Sequence, residues 1–203
     1  MKTDSYINSG KLRLLHPVLK TWQELILDYI KYNDYNNYID NPWWYNERAS
    51  VSMLAAAAWT ANGIALEEYS TIKGKSRKKW SGRCDLYIGL STKEYNCEAK
   101  QVFCSVGNRS YNNVKKIEDA LENAKKDASF LNKKDGQRLS VCFAVPYISK
   151  KEKNLDSNLE NWLDKVVQLN YSAIAWLFPE KTRNNMYMNY YYPGVVILIK
   201  DID

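Results

Sequence analysis

Two stretches decide how this chain reads: Gly82-Arg83-Cys84-Asp85-Leu86-Tyr87-Ile88 and Tyr95-Asn96-Cys97-Glu98-Ala99-Lys100-Gln101-Val102-Phe103. Both are rich in β-branched, aromatic and Cys residues, the composition of strands. The link from Gly89 to Glu94 is short enough for an antiparallel hairpin. Side chains alternate along a strand, so Glu98 and Lys100 share one face while Cys97, Ala99 and Gln101 share the other. Asp85 is expected where the first strand leaves a glycine turn, with Cys84 and Leu86 pointing away from it. Pairing the strands then gathers Asp85, Glu98 and Lys100 on one face, with small apolar residues behind them.

Two carboxylates and an ammonium on a packed face are costly to desolvate unless something pairs them. A divalent cation is one such partner. Carboxylate oxygens suit Mg²⁺ or Mn²⁺, whereas Zn²⁺ favours Cys and His. The competing interpretation is an ordinary solvated hairpin with a cross-strand ion pair.

Asp85, twelve intervening residues and then Glu98-Ala99-Lys100 resembles the PD-(D/E)xK nuclease superfamily, also called restriction-endonuclease-like. Gly82-Arg83-Cys84-Asp85 resembles that family's Gly-x-x-Asp variant. One departure is that Cys84, not proline, precedes Asp85. The resemblance implies metal ligands at Asp85, Glu98 and the carbonyl of Ala99, with Lys100 as the catalytic lysine. It also makes Glu47, on a helix before the strands, a candidate additional carboxylate for catalysis and metal binding. The implied activity is Mg²⁺- or Mn²⁺-dependent endonucleolytic hydrolysis of nucleic acid, with DNA the leading expectation and RNA open.

The bulk composition fits one domain spanning 1–203: 45% hydrophobic and 26% charged residues are ordinary for a globular chain. A net charge of +6 permits a polyanionic partner. The first eight residues lack the apolar core of a signal peptide, and no apolar run approaches a membrane span, so a cytoplasmic protein without a membrane partner is expected. Cys84, Cys97, Cys104 and Cys142 form no Cys-x-x-Cys pair and His16 is the single histidine. Zinc is therefore disfavoured, and reduced, buried cysteines are expected. A homodimer is compatible with the sequence, which fixes no oligomeric state.

Helical periodicity marks residues 17–33, with Pro17 at a first helical position. Asn41-Pro42 offers a start for the second helix, clearest from Glu47 to Asn62, where Val51, Leu54, Ala55 and Ala58 form the apolar stripe. Glu47 continues that stripe, and as a first-turn acid it also complements the helix dipole. Residues 64–72 read as a strand in which either Glu67 or Glu68 could face the site. Lys73, Lys75, Arg77, Lys78, Lys79 and Arg83 then place six cations in eleven residues around Trp80. This run reads as a flexible basic loop suited to phosphate contacts, with Trp80 able to stack on a base. The alternative is a solvated loop.

A connection over residues 104–113 carries Arg109 and Tyr111, followed by a helix over 113–132. A buried strand over 139–145 is ended by Pro146. Ser157-x-x-Glu160 reads as a capping box opening another helix. Strands at 172–178 and 194–200 bracket a Tyr-rich loop or ragged hairpin over 184–192, whose Tyr187, Tyr190, Tyr191 and Tyr192 are read as packing residues first, with contact to substrate the alternative. The order of a helix, three strands, a helix and a strand across residues 47–146 agrees with the core of the resembled family. The expected fold is therefore α/β, with a mixed central sheet flanked by helices, an extra N-terminal helix, and a C-terminal helix and strands. The rival functions are a catalytically inactive nucleic-acid-binding or protein-interaction module, and a nucleotide hydrolase.

Overall fold

The computed structural model describes residues 3–75, 78–107, 113–183 and 185–203. The chain opens with β1 (Asp4–Ile7), α1 (Leu15–Tyr35) and α2 (Glu47–Thr60), followed by three long strands, β2 (Ile64–Lys75), β3 (Lys78–Leu90) and β4 (Lys93–Ser105). Next come α3 (Asn113–Ala128), β5 (Gln137–Ser149), α4 (Leu155–Val166) and β6 (Ala173–Leu177). The two-residue strands β7 (Met186–Tyr187) and β8 (Tyr190–Tyr191) precede β9 (Val195–Asp201). These form a mixed open sheet in the order β1-β6-β9-β5-β4-β3-β2, with β8 joining the end of β5.

β5, β6 and β9 are buried along most of their length, as strands covered on both faces must be. Alternation sends Val141, Phe143, Ile197 and Ile199 into the core under α1 and α2. Cys142, Ala144, Val196 and Leu198 go into the core under α3 and α4. β4 and β5 are parallel, from Tyr95↔Gln137 to Ser105↔Tyr147, and α3 supplies the crossover that a parallel pair requires. The four cysteines are free and buried. Burial pushes the Cys84 and Cys104 thiols up to about 12, which suits packing rather than nucleophilic chemistry. Among the described residues no helix is long and apolar enough to cross a membrane.

Several local expectations are corrected. The basic run does not read as a loop in its described residues: β2 and β3 pair without a break from Tyr69↔Cys84 to Lys75↔Lys78, so Lys73, Lys75, Lys78, Lys79 and Arg83 lie on the arm of a long hairpin. Gly82 lies inside β3 opposite Thr71, so Asp85 is mid-strand rather than beside a turn. Asn41 does not cap α2; Pro42–Trp44 form a 3₁₀ turn, and the Asn46 side chain accepts from the Ala49 N–H at 3.2 Å. Pro146 does not end β5, because pairing with β9 stops at Ala144 and the strand continues along β4. Ser157 lies inside α4, where its hydroxyl donates to the Asn154 carbonyl. α3 ends at Ala128, four residues before the expected end. Strand β1 has no counterpart in the sequence reading. Arg77, Arg109, Tyr111 and residue 184 lie outside the described residues.

The Asn46 cap has a measurable consequence, because α2 delivers Glu47. Asn46→Ala should lower the unfolding free energy by about 1 kcal/mol in urea. An unchanged urea midpoint would show that the cap contributes nothing.

Candidate active site

The site begins where two strands separate. β3 and β4 pair from Leu90↔Lys93 to Leu86↔Cys97 and no further. Before Leu86, β3 continues only with β2; beyond Cys97, β4 continues only with β5. The β2–β3 pairing also lapses between Glu67↔Leu86 and Tyr69↔Cys84, where Glu68 adopts a left-handed φ of 50°. That irregularity breaks the alternation expected of β3. Cys84 packs with Ala128 and Leu131 near α3, whereas Leu86 lies in the core beneath α1 and α2. Asp85, between them, is turned toward β4.

The separation deprives β4 of ladder acceptors, and two carboxylates replace them. Asp85 Oδ2 accepts from the Ala99 N–H at 2.7 Å. Two residues on, Glu47 Oε2 accepts from the Gln101 N–H at 3.1 Å. The side chain of Gln101 completes the link to α2: its Oε1 accepts from the Ser50 hydroxyl at 2.6 Å and its Nε2 donates to the Trp43 carbonyl at 3.4 Å. Glu47 is thus placed by β4 as well as by its helix.

Lys100 lies between the two residues whose N–H groups these carboxylates accept. Its Nζ donates to the Ala99 carbonyl at 2.8 Å and sits 3.3 Å from Asp127 of α3. Burial works against the ammonium, but Glu47, Asp85 and Asp127 outweigh it and hold the pKa above its ordinary value. Glu98 is 3% exposed, and its Oε1 lies 2.6 Å from Lys73 Nζ. Desolvation pushes the Glu98 carboxyl up to about 7; Lys73 opposes the rise and Asp85 adds to it. Glu47 is also raised, by burial first, with Lys100 lowering it and Asp85 and Glu68 adding to the rise. Asp85, Glu98, Lys100 and Glu47 are therefore brought into one electrostatic neighbourhood. Among the described residues, no group of three or more His, Cys, Asp or Glu side chains converges as a preformed metal cluster.

The basic residues divide in two. Lys73 turns inward to Glu98, and Arg83 pairs with Glu68 at 3.2 Å. Lys78 and Lys79 are exposed on the hairpin arm. Trp80 packs edge-on against Phe130 with centroids 5.2 Å apart, leaving about half of its surface open. Glu68, not Glu67, is the member of that couple that acts on Glu47; Glu67 accepts from the Ser52 hydroxyl. Lys73 as a partner of Glu98, Asp127 as a partner of Lys100, and the Gln101–Ser50 link were not read from the sequence. Lys100 and Asp127 come from different elements, and no local pattern couples them. No family model matches the chain, and comparison with curated proteins and with solved structures likewise finds no match.

Two outcomes are expected of this arrangement. The folded Glu98 carboxyl titrates above its unfolded value, so the native state binds the extra proton between about pH 4.5 and 7. Stability in EDTA should therefore fall as pH rises through that window, by as much as ~3 kcal/mol. Glu98→Gln should flatten the decline, and an equally steep profile in that variant would assign it to another group. On the hairpin arm, Lys78→Ala with Lys79→Ala should weaken nucleic-acid binding for all sequences alike. It should also reduce the salt slope by roughly 0.9 per lost duplex phosphate contact. An unchanged slope would make these lysines a solvated surface only.

Proposed function

We propose that this chain is a metal-dependent nuclease with a PD-(D/E)xK-type core, hydrolysing phosphodiester bonds in nucleic acid, DNA first. The observation that carries the reading is the parting of β3 and β4 at Asp85 and Glu98, with Lys100 beside them and Glu47 reaching in from α2. The order α2-β2-β3-β4-α3-β5, with a mixed sheet between helices, supports the same assignment.

The donor set fits a hard cation in kind and in charge. Burial first, with Asp85 adding to it, raises the pKa of both Glu98 and Glu47. Asp85, Glu98, Glu47 and the Ala99 carbonyl would hold Mg²⁺ or Mn²⁺. When bound, such an ion polarises the scissile phosphate and lowers the pKa of an attacking water. Lys100, kept protonated by its acidic neighbours, orients that water and balances charge developing on the phosphate. Lys78 and Lys79 dock the backbone without reading sequence.

One observation favours a second reading, an inactive nucleic-acid-binding or protein-interaction module. Lys73 neutralises Glu98, and Lys100 occupies the Ala99 carbonyl, so part of the site is satisfied internally.

The two readings predict different variants. Lys100→Ala should abolish most cleavage while retaining nucleic-acid binding, because interactions made mainly in the transition state lower turnover more than affinity. Glu47→Gln should impair cleavage with little loss of stability. Asp85→Asn keeps an acceptor for the Ala99 N–H and should weaken the Mg²⁺ or Mn²⁺ isotherm. Incubating the wild type with single-stranded, duplex and branched DNA and RNA, in Mg²⁺, Mn²⁺ or EDTA, is the deciding experiment. Binding without metal uptake or cleavage across that panel would replace the nuclease by the inactive module.

A further inference from the structure

Tyr38, Ile39, Asp40, Trp44 and Tyr45, from the connection between α1 and α2, line a cleft of about 500 Å³ with Tyr187 of β7. Its aromatic walls are open: Tyr38 is 69% exposed, Tyr45 56% and Tyr187 51%. So much aromatic surface held together in water marks a contact site more readily than a packed core. The rings are also held in place. Asp40 accepts hydrogen bonds from the hydroxyls of both Tyr29 and Tyr45, which orients Tyr45 and satisfies the carboxylate. Trp44 and Tyr187 lie nearly parallel, 25° apart with centroids at 6.1 Å.

The segment that carries the cleft is tied to β4 beside the candidate active site. Trp44 meets Tyr192, Tyr192 meets Phe103 edge-on, and Phe103 stands on β4 two residues beyond Gln101, on the face opposite Lys100. Trp43, next to Trp44, accepts through its carbonyl from Gln101. Exposed cations flank the platform: the hairpin of β7 and β8 is tied to Lys150, whose N–H donates to the Asn189 carbonyl, and Lys150 and Lys151 are both exposed.

We propose that this cleft stacks an unpaired nucleobase, so that the candidate active site works on nucleic acid with single-stranded character. Bases stack on aromatic rings whatever their identity, and the neighbouring lysines suit the backbone that carries them. A base inside a duplex is already stacked on its neighbours and cannot enter such a cleft. The statement about substrate rests on the nuclease reading; the statement about base binding does not.

The test measures binding in EDTA, with no cleavage. Wild-type protein should bind a single-stranded oligonucleotide of mixed sequence more tightly than the same sequence as a duplex. A 2-aminopurine placed in the single strand should be quenched on binding. Tyr38→Ala and Tyr187→Ala, both at exposed positions, should each weaken single-strand binding by roughly 5- to 100-fold. Duplex binding should hardly change, and Tyr187→Ala should lose the quenching. Equal affinity for duplex, or folded Tyr variants that bind single strands like the wild type, would overturn the proposal. So would displacement of the oligonucleotide by tetramethylammonium at the same tyrosines, which would make the cleft a cation cage. If the Tyr-dependent preference for single strands appears but cleavage fails with every metal, the base cleft stands and the nuclease reading falls.

Discussion

The N–H groups along one edge of β4 govern this molecule. A backbone donor inside a sheet must find an acceptor, and β4 loses its antiparallel neighbour after Cys97. Two of its donors on that side, two residues apart, are taken by Asp85 of β3 and Glu47 of α2. Charged acceptors make stronger hydrogen bonds than neutral carbonyls, so this substitution is a good exchange for the ladder. The same exchange draws two carboxylates from separate elements to one strand edge, on the residues either side of Lys100. This arrangement is therefore a consequence of where β3 and β4 part, and it does not depend on mobile side chains finding each other.

Crowding acids in this way has a cost, visible in the balancing charges. Lys100 faces Glu47, Asp85 and Asp127; Lys73 faces Glu98; Arg48 and Arg83 hold Glu68. The most buried of these couples is Lys73 with Glu98. A buried ion pair seldom stabilises a fold by itself, because desolvating both partners offsets most of their attraction. The raised pKa of Glu98 expresses that cost, since burial outweighs the ammonium beside it. An interior carboxylate of this kind is more readily explained by a functional demand than by stability, and such groups cluster at functional sites.

The sequence made the acidic residues legible but not the defect that assembles them. Alternation along β4 correctly placed Glu98 and Lys100 together, with Cys97 and Ala99 packed behind. The regular period failed at Asp85, where Cys84 and Leu86 enter different layers. Its origin is the left-handed backbone at Glu68, and a glutamate gives no warning of that conformation as a glycine would. The hairpin arm was hidden by its charge: lysines there suppress the strand signal, although register pairs them as far as Lys75↔Lys78. Pro146 misled in the opposite direction, because a proline is tolerated where pairing on one side has already ended. The helices, by contrast, announced themselves through their apolar stripes. Expected α/β architecture and observed sheet agree at that level, while the Tyr-rich segment, read as packing, contributes exposed rings to a cleft.

Because Asp85 and Glu47 each carry a backbone bond, structural and chemical roles at this site cannot be separated by deletion to alanine. Removing Asp85 strands the Ala99 N–H, and leaving a buried donor unsatisfied costs about 1–3 kcal/mol regardless of any chemistry. An inactive alanine variant would therefore fit an enzyme and a purely structural carboxylate equally well. The amide variants are different, since an Asn or Gln oxygen still accepts from the same N–H while offering a metal no charge. Lys100 is the cleaner probe, because truncating it strands no backbone N–H and its partner Asp127 is exposed to water. Loss of turnover on truncating Lys100, with the fold and binding intact, isolates chemistry from architecture in a way that truncating the carboxylates does not.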